Sequence, residues 1–314
     1  VRRVFPALLA AVLLAGPAAG AEAWVTNQGD SSVTRLDTAA GKVLATHPVC
    51  REPAGIAVAP AGGRVFVTCP GSGEVARLDP STGSLAARVA VGQGAVGIDT
   101  DPDGRRAYVA DWYGNRLLVL DGDTLATLGS VPLGPVPAGV TLLPGGRQAL
   151  VAVRDADQVA LVDLESLSVA ATIPVGRHPF GIGVDPEARR AYVANVESDD
   201  LSVIDLERRV EVGRVKVGSH PYAAAVTPDG AKAYVTNQQG NSLSVVDTAT
   251  LSVTATIPVG EYPEGIAADP AGDRVYVACW FDNILAVVDT GNDSVAARLP
   301  TGDGPRAFGR FLIP

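Results

Sequence analysis

Residues Pro221 to Tyr262 read PYAAAVTPDGAKAYVTNQQGNSLSVVDTATLSVTATIPVGEY, and this stretch decides the fold. Ala223–Thr227 reads as a short first strand. Pro228-Asp229-Gly230 closes it in a turn, with Pro presetting φ and Gly accepting a positive φ. Ala233–Asn237, with its β-branched and aromatic residues, reads as a second strand, and 238–242 as a polar turn. Leu243–Asp247 is a third strand, Thr248-Ala249-Thr250 a turn, and Val253–Val259 a fourth. Four short strands with turn signals every 8 to 12 residues predict an antiparallel meander.

The unit repeats with a period of 42. Asp37, Asp79, Asp121, Asp163, Asp205, Asp247 and Asp289 recur at that interval. Trp24, Phe66, Tyr108, Leu150, Tyr192, Tyr234 and Tyr276 form a second ladder in the same register. Pro53, Pro137, Pro179, Pro221, Pro263 and Pro305 form a third, with Ala95 in the vacant slot. A fixed period of this length without helical patterning defines a repeat architecture. One meander has two apolar faces and buries neither alone. Radial stacking buries both and leaves short edges, which predicts an all-β, seven-bladed β-propeller of four-stranded antiparallel blades. The first unit starts at its second strand (Ala23–Asn27), and 305–313 supplies a lone first strand. The two halves are expected to complete a seventh blade and close the ring.

Arg2 and Arg3, the apolar run Phe5–Ala15 and the small residues Ala19-Gly20-Ala21 read as a signal peptide over 1–21. Residues 22–314 are then one propeller domain, periplasmic or secreted, monomeric and without a membrane span. The net charge of −9 argues against nucleic-acid partners, which need a basic footprint. Three cysteines in an oxidising compartment allow at most one internal bridge. Cys50 opens the connection into the blade whose second strand ends at Cys69, so these two are the expected pair.

Tyr234-Val235-Thr236-Asn237, Leu243–Thr250 and Val259-Gly260-x-x-Pro263-x-Gly265-Ile266-Ala267 resemble the consensus of the YVTN-type β-propeller repeat family. The resemblance covers the chain from residue 22 onward. It implies the seven-bladed fold and places the chain beside surface-layer proteins, exported proteins without assigned roles, and cytochrome d1-type and lactonase-type propellers. The repeat motif is structural, so no catalytic residue carries over with it.

In such a ring a site is sought where one blade departs from its siblings. The ladder aspartates end third strands, one per blade, and are expected to cap the following turns. The aromatic ladder is expected to pack between blades, and Gly55, Gly97, Gly139, Gly181 and Gly265 to relieve crowding at the axis. His47 falls in a fourth strand and is read as structural. Variation concentrates instead on one rim. The connections between blades carry Arg51 and Glu52, Arg177 and His178, His220, Glu261 and Tyr262. A column two residues further on holds Phe180, Tyr222, Glu264 and Arg306. The turns between second and third strands add Trp112 and Tyr113, Arg154, Trp280 and Phe281, with Trp112 and Trp280 expected roughly across the ring.

These fifteen positions other than Glu261 are the candidate ligand-binding rim. His178 and His220, at one repeat position in adjacent blades, are either ligands of a metal or haem-like cofactor with Glu261 or Glu264, contacts for a polar ligand, or tolerated variants of the connector. No catalytic constellation, haem-attachment motif, phosphate loop or zinc spacing accompanies them. The leading expectation is an exported non-catalytic scaffold whose rim binds an envelope or extracellular protein, a polysaccharide or a small ligand. The alternatives are a cofactor- or metal-linked periplasmic propeller, of cytochrome d1 type or accessory to quinone-dependent oxidation, and a lactonase- or lyase-like enzyme.

Overall fold

The computed structural model describes residues 22–59 and 61–313; the signal-peptide segment expected over 1–21 lies outside the described residues. The chain folds into seven four-stranded antiparallel sheets. Blades 1 to 6 occupy residues 56–90, 95–132, 137–174, 179–216, 221–258 and 263–300, and blade 7 unites 22–48 with 312–313. The one helical segment among the described residues is a 3-10 turn, Arg154–Ala156. No described helix is long and apolar enough to cross a membrane.

The ladders have the physical roles their spacing predicts. Trp24, Phe66, Tyr108, Leu150, Tyr192, Tyr234 and Tyr276 are all 2% exposed or less and pack at the blade interfaces. Burying one such ring removes apolar surface worth up to about 3 kcal/mol, so the ladder is a principal inter-blade cohesion. Six of the ladder aspartates accept two backbone N–H groups of their own turn through Oδ1, and Asp205 accepts one, from Arg208. Asp247, for example, takes Ala249 N at 3.0 Å, Thr250 N at 2.7 Å and the Thr250 hydroxyl at 2.8 Å. At the axis, a Cβ on Gly97 or Gly139 would collide with the carbonyl of Ala138 or Phe180 in the next blade, so the first strands pack closer than any side chain permits.

Ring closure uses both termini, but the closing strand is less regular than expected. Only Leu312–Ile313 pairs in a regular ladder, with Ala23 and Glu22. Upstream, Ala307 (φ 50°) and Gly309 (φ 109°) turn the backbone left-handed and break the strand. The broken segment stitches three blades together: Gly265 N bonds Arg306 O, Arg306 N bonds Thr26 O, Ile56 N bonds Phe308 O and Val58 N bonds Arg310 O. The kink carries Phe308 over the channel axis.

Candidate functional site

The rim facing the blade connections is built by two repeated devices. The residue preceding each connector proline has left-handed backbone at Glu52, Val136, His178, His220, Tyr262 and Gly304, with φ between 52° and 65°. For a non-glycine residue this conformation costs roughly 1–2 kcal/mol, and it fixes where the side chain is aimed. A side chain 21 residues earlier clamps each of the last five backbone N–H groups. Asn115 Oδ1 accepts Val136 N, Asp157 accepts His178 N, Asp199 accepts His220 N, Asn241 accepts Tyr262 N, and Asn283 accepts Gly304 N, at 2.8–3.1 Å. The sequence reading missed this clamp, although its signal is plain: an Asn or Asp at 42-residue intervals, half a period ahead of the connectors. The second-to-third-strand turns dock onto the same connectors through Trp112 N to Gly94 O, Val196 N to His178 O, Gln238 N to His220 O and Trp280 N to Tyr262 O.

The column at 54, 96, 138, 180, 222, 264 and 306 converges on the axis. Thr26, Thr68 and Thr236 hydroxyls donate to the carbonyls of Ala54, Val96 and Glu264 and hold the column in place. Phe180 stacks on Tyr222 with centroids 4.0 Å apart, and Phe308 meets them at 5.4 and 5.2 Å. Phe308, which sequence reasoning did not select, closes the mouth of the channel. Trp112 packs on Phe180 at 6.1 Å and carries the Arg154 guanidinium at 5.6 Å. On the other side Arg306 lies 4.7 Å from the Phe308 ring and 5.7 Å from Trp280. Trp280, Phe281 and Tyr262 form one cluster with centroids 4.8–5.4 Å apart. An aromatic and guanidinium pavement thus runs from Trp112 to Trp280 across the mouth.

Beneath the pavement is a buried ion pair. Arg306 donates to Glu264 through Nε at 2.7 Å and a terminal nitrogen at 3.1 Å. Gln238 donates to the same carboxylate at 2.7 Å, and Glu264 is 1% exposed. Burial by itself would push the Arg306 guanidinium down, but the Glu264 carboxylate, then Tyr222, more than offset this and hold it above its ordinary value. Burial, reinforced by Glu264, raises the Tyr222 phenol. This arc, read from sequence as available to a ligand, largely satisfies itself.

His178 and His220 stand outside that arc, in separate surroundings. His178 is 34% exposed, its Nε2 is 4.0 Å from Asp155 and its Nδ1 3.9 Å from Glu197. Neither contact is a hydrogen bond, and Nδ1 is buried without a partner. His220 Nδ1 lies 3.0 Å from the Ser219 hydroxyl and 4.0 Å from Asp199. Among the described residues no group of three His, Cys, Asp or Glu side chains is placed to hold a metal ion. Arg177 donates to Glu197 O at 2.7 Å and Arg51 to Gly71 O. Tyr113 and Phe281 are 74% and 61% exposed. Cys50 and Cys69 form a disulfide with Cα atoms 5.9 Å apart, flanking Arg51 and Glu52. Cys279 is free and buried.

Below Phe180 and Phe308 the channel holds a cavity of about 190 Å³ lined by Asp99 and Arg310. Asp99, 3% exposed, accepts Leu142 N and Thr100 N and faces Arg310 at 3.5 Å. Burial raises its carboxyl pKa, against the pull of Arg310.

Fold and rim together define a seven-bladed β-propeller with an aromatic-paved mouth. Residues 23–221 match the family described as the cytochrome D1 heme domain, and the chain belongs to that family. The match takes in His178 and His220 and stops before Tyr222. Among solved structures, a functionally unknown protein from Desulfotomaculum acetoxidans DSM 771 superposes with a TM-score of 0.77 at 15% identity, over 92% of this chain and 99% of that one. Hydrazine synthase from Kuenenia stuttgartiensis gives 0.73 at 20% identity, over 80% and 87%. The dihydro-heme d1 dehydrogenase NirN in complex with DHE gives 0.67 at 18% identity, over 90% and 74%. At these identities the likeness is one of fold. No curated protein sequence matches the chain.

Proposed function

We propose that this protein is an exported propeller, periplasmic or secreted after loss of 1–21, that holds a haem-type tetrapyrrole at the paved mouth of its ring. The YVTN-like repeat is then the scaffold of a haem-linked protein. The observation that carries the reading is the His178 imidazole. It lies within the matched segment, on the rim beside the pavement, and its buried Nδ1 lacks a partner. The donor set suits such a group. His178 and His220 offer imidazoles. Trp112, Phe180 and Phe308 offer an apolar floor that excludes water from one face of a planar macrocycle. Arg51, Arg154 and Arg177 offer guanidiniums to carboxylate substituents. Once bound, an iron tetrapyrrole would supply electron transfer or ligand binding at its metal. The chain's own share is to orient: the clamps from Asp157 and Asp199 fix both histidine backbones, and Asp155 and Glu197 flank the His178 ring.

Absorption titration of the purified protein with haem d1, and with iron protoporphyrin IX as a stable probe, tests this. Saturable one-to-one binding with a shifted Soret band is expected, and loss of that shift in a His178→Ala, His220→Ala variant of unchanged thermal stability. Alanine keeps the strained backbone comparable to histidine. No spectral change in the native protein, or an unchanged one in the variant, would overturn the reading. A partner-binding rim is the second reading, favoured by the exposed Tyr113 and Phe281, with an envelope protein or polysaccharide as its ligand.

A further inference from the structure

The face opposite the paved mouth carries the chain's turns between first and second strands and between third and fourth. A repeated clasp ties neighbouring blades there. Lys232 Nζ donates to Thr290 O at 2.7 Å and to Asp293 at 2.9 Å. Arg190 donates to Thr248 O at 2.8 Å. Arg64 donates to Asp103 O at 2.9 Å and to Asp123 at 2.6 Å. Arg106 and Arg274 hold the same repeat position. In blade 3 that position is Gln148, which has no charge and is too short to replace an arginine. Two residues on, Leu150 is the one ladder rung without a ring, so this strand also lacks the phenol with which Tyr234 reaches Asp293 at 2.5 Å. Both departures fall in one strand, at the junction of blades 3 and 4.

A cleft of about 920 Å³ opens at that junction, extends to blade 5 and is lined by Gln148, Leu206 and Glu207. Leu206 is the repeat equivalent of Thr248 and Thr290, whose carbonyls take the clasp cations. Glu207 is the equivalent of Asp123, which takes the Arg64 guanidinium. The Leu206 carbonyl and the Glu207 carboxylate therefore stand at acceptor positions without a clasp cation, while Arg209 holds the position from which Asp293 accepts Lys232. Carboxylates outnumber guanidiniums six to three among the lining residues. Of the three, Arg189 is engaged with Glu187 at 2.7 Å and Arg190 with the next blade.

We propose that this cleft binds an alkylguanidinium or alkylammonium group, which takes the place of the missing clasp side chain between blades 3 and 4. The recognition is that of the Lys232 and Arg64 clasps, where a carbonyl and a carboxylate converge on one cation, while the alkyl stem lies along the blade edge. A free amine metabolite and a basic side chain of a partner protein share this chemistry. The site lies on the opposite face from the haem rim and is independent of it.

Isothermal titration of the native protein with agmatine, with the blocked peptide acetyl-Gly-Arg-Gly-amide, and with neutral butylurea tests the proposal. The two cations are expected to bind and butylurea not to. Agmatine binding tighter than the peptide identifies a free amine as the occupant, and the reverse order a partner's side chain. Gln148→Arg supplies the clasp in cis, so it is expected to weaken cation binding at least about tenfold, a loss of 1.4 kcal/mol, while melting no lower than the native protein. Glu207→Gln is expected to weaken binding without changing the fold. Equal binding to the native protein and to Gln148→Arg, or no binding of either cation to the native protein, would overturn the proposal.

Discussion

Replacing Arg306 with methionine tests how the ring's seam is held. The guanidinium belongs to the closing segment, the carboxylate of Glu264 to blade 6, and Gln238 to blade 5. With Arg306 gone, Glu264 remains 1% exposed and keeps only the 2.7 Å bond from Gln238. An uncompensated buried charge of this kind costs about 3–5 kcal/mol. In a protein of this size that lowers the melting temperature on the order of 10 °C. Replacing both partners, Glu264→Gln with Arg306→Met, removes both charges and leaves Gln238 an acceptor, and is expected to recover most of that loss. Urea unfolding followed by tryptophan fluorescence reads both variants, and Trp280, 5.7 Å from the guanidinium, reports directly on the site. A single variant that loses less than about 1 kcal/mol, or a double variant as unstable as the single, would refute the argument that the buried Glu264 carboxylate depends on Arg306.

Native protein is expected to show no thiol reactive toward Ellman's reagent, one after denaturation and three after denaturation with reduction. Burial, with Asp282 adding to it, pushes the Cys279 thiol up to about 12, and Cys50 and Cys69 are bonded. The bridge spans 19 positions, so serine at both of its cysteines is expected to cost about 3 kcal/mol by loop-closure entropy, read as a lower urea midpoint. Asp79 is held below the usual aspartate value by the Ser81 hydroxyl and turn N–H groups, and Asp121, Asp163 and Asp247 chiefly by backbone N–H groups. Their folded pKa values are depressed, so their contribution is complete above about pH 4 and is lost as pH falls through the lower folded values. Asp99 runs the other way: its raised pKa favours the protonated folded form, and its ionisation opposes folding as pH rises through that value. Urea midpoints measured between pH 2 and 5 should therefore fall toward acid. The quadruple alanine variant of the four turn aspartates should flatten that limb, and an unchanged slope would show that the turns are not its source.

Much of the site's raw material was legible in the chain, and its internal bonding was not. The column Phe180, Tyr222, Glu264, Arg306 could be placed on the rim from spacing alone. That Glu264 and Arg306 would satisfy each other required knowing that adjacent blades bring positions 42 apart within 2.7 Å at the axis. Phe308 escaped notice because its repeat equivalents, such as Ile98 and Ile182, are ordinary aliphatic core residues. Only the left-handed backbone at Ala307 and Gly309 swings its ring over the channel. Trp112 and Trp280 are rim positions by their spacing, and it is Arg306, Phe308 and Phe180 that make them ends of one pavement.

The period of 42, the seven turn aspartates and the inter-blade rings are properties of each unit taken with its neighbour. Local patterning therefore determines them: strand alternation, turn chemistry and burial all act within a few tens of residues. Closure, the plugged mouth, the Glu264–Arg306 ion pair and the unfilled clasp at Gln148 depend on contacts between distant parts of the chain and on the direction in which individual side chains are aimed. Only the closed ring sets those, because it alone fixes which blade faces which and how near the axis each first strand lies.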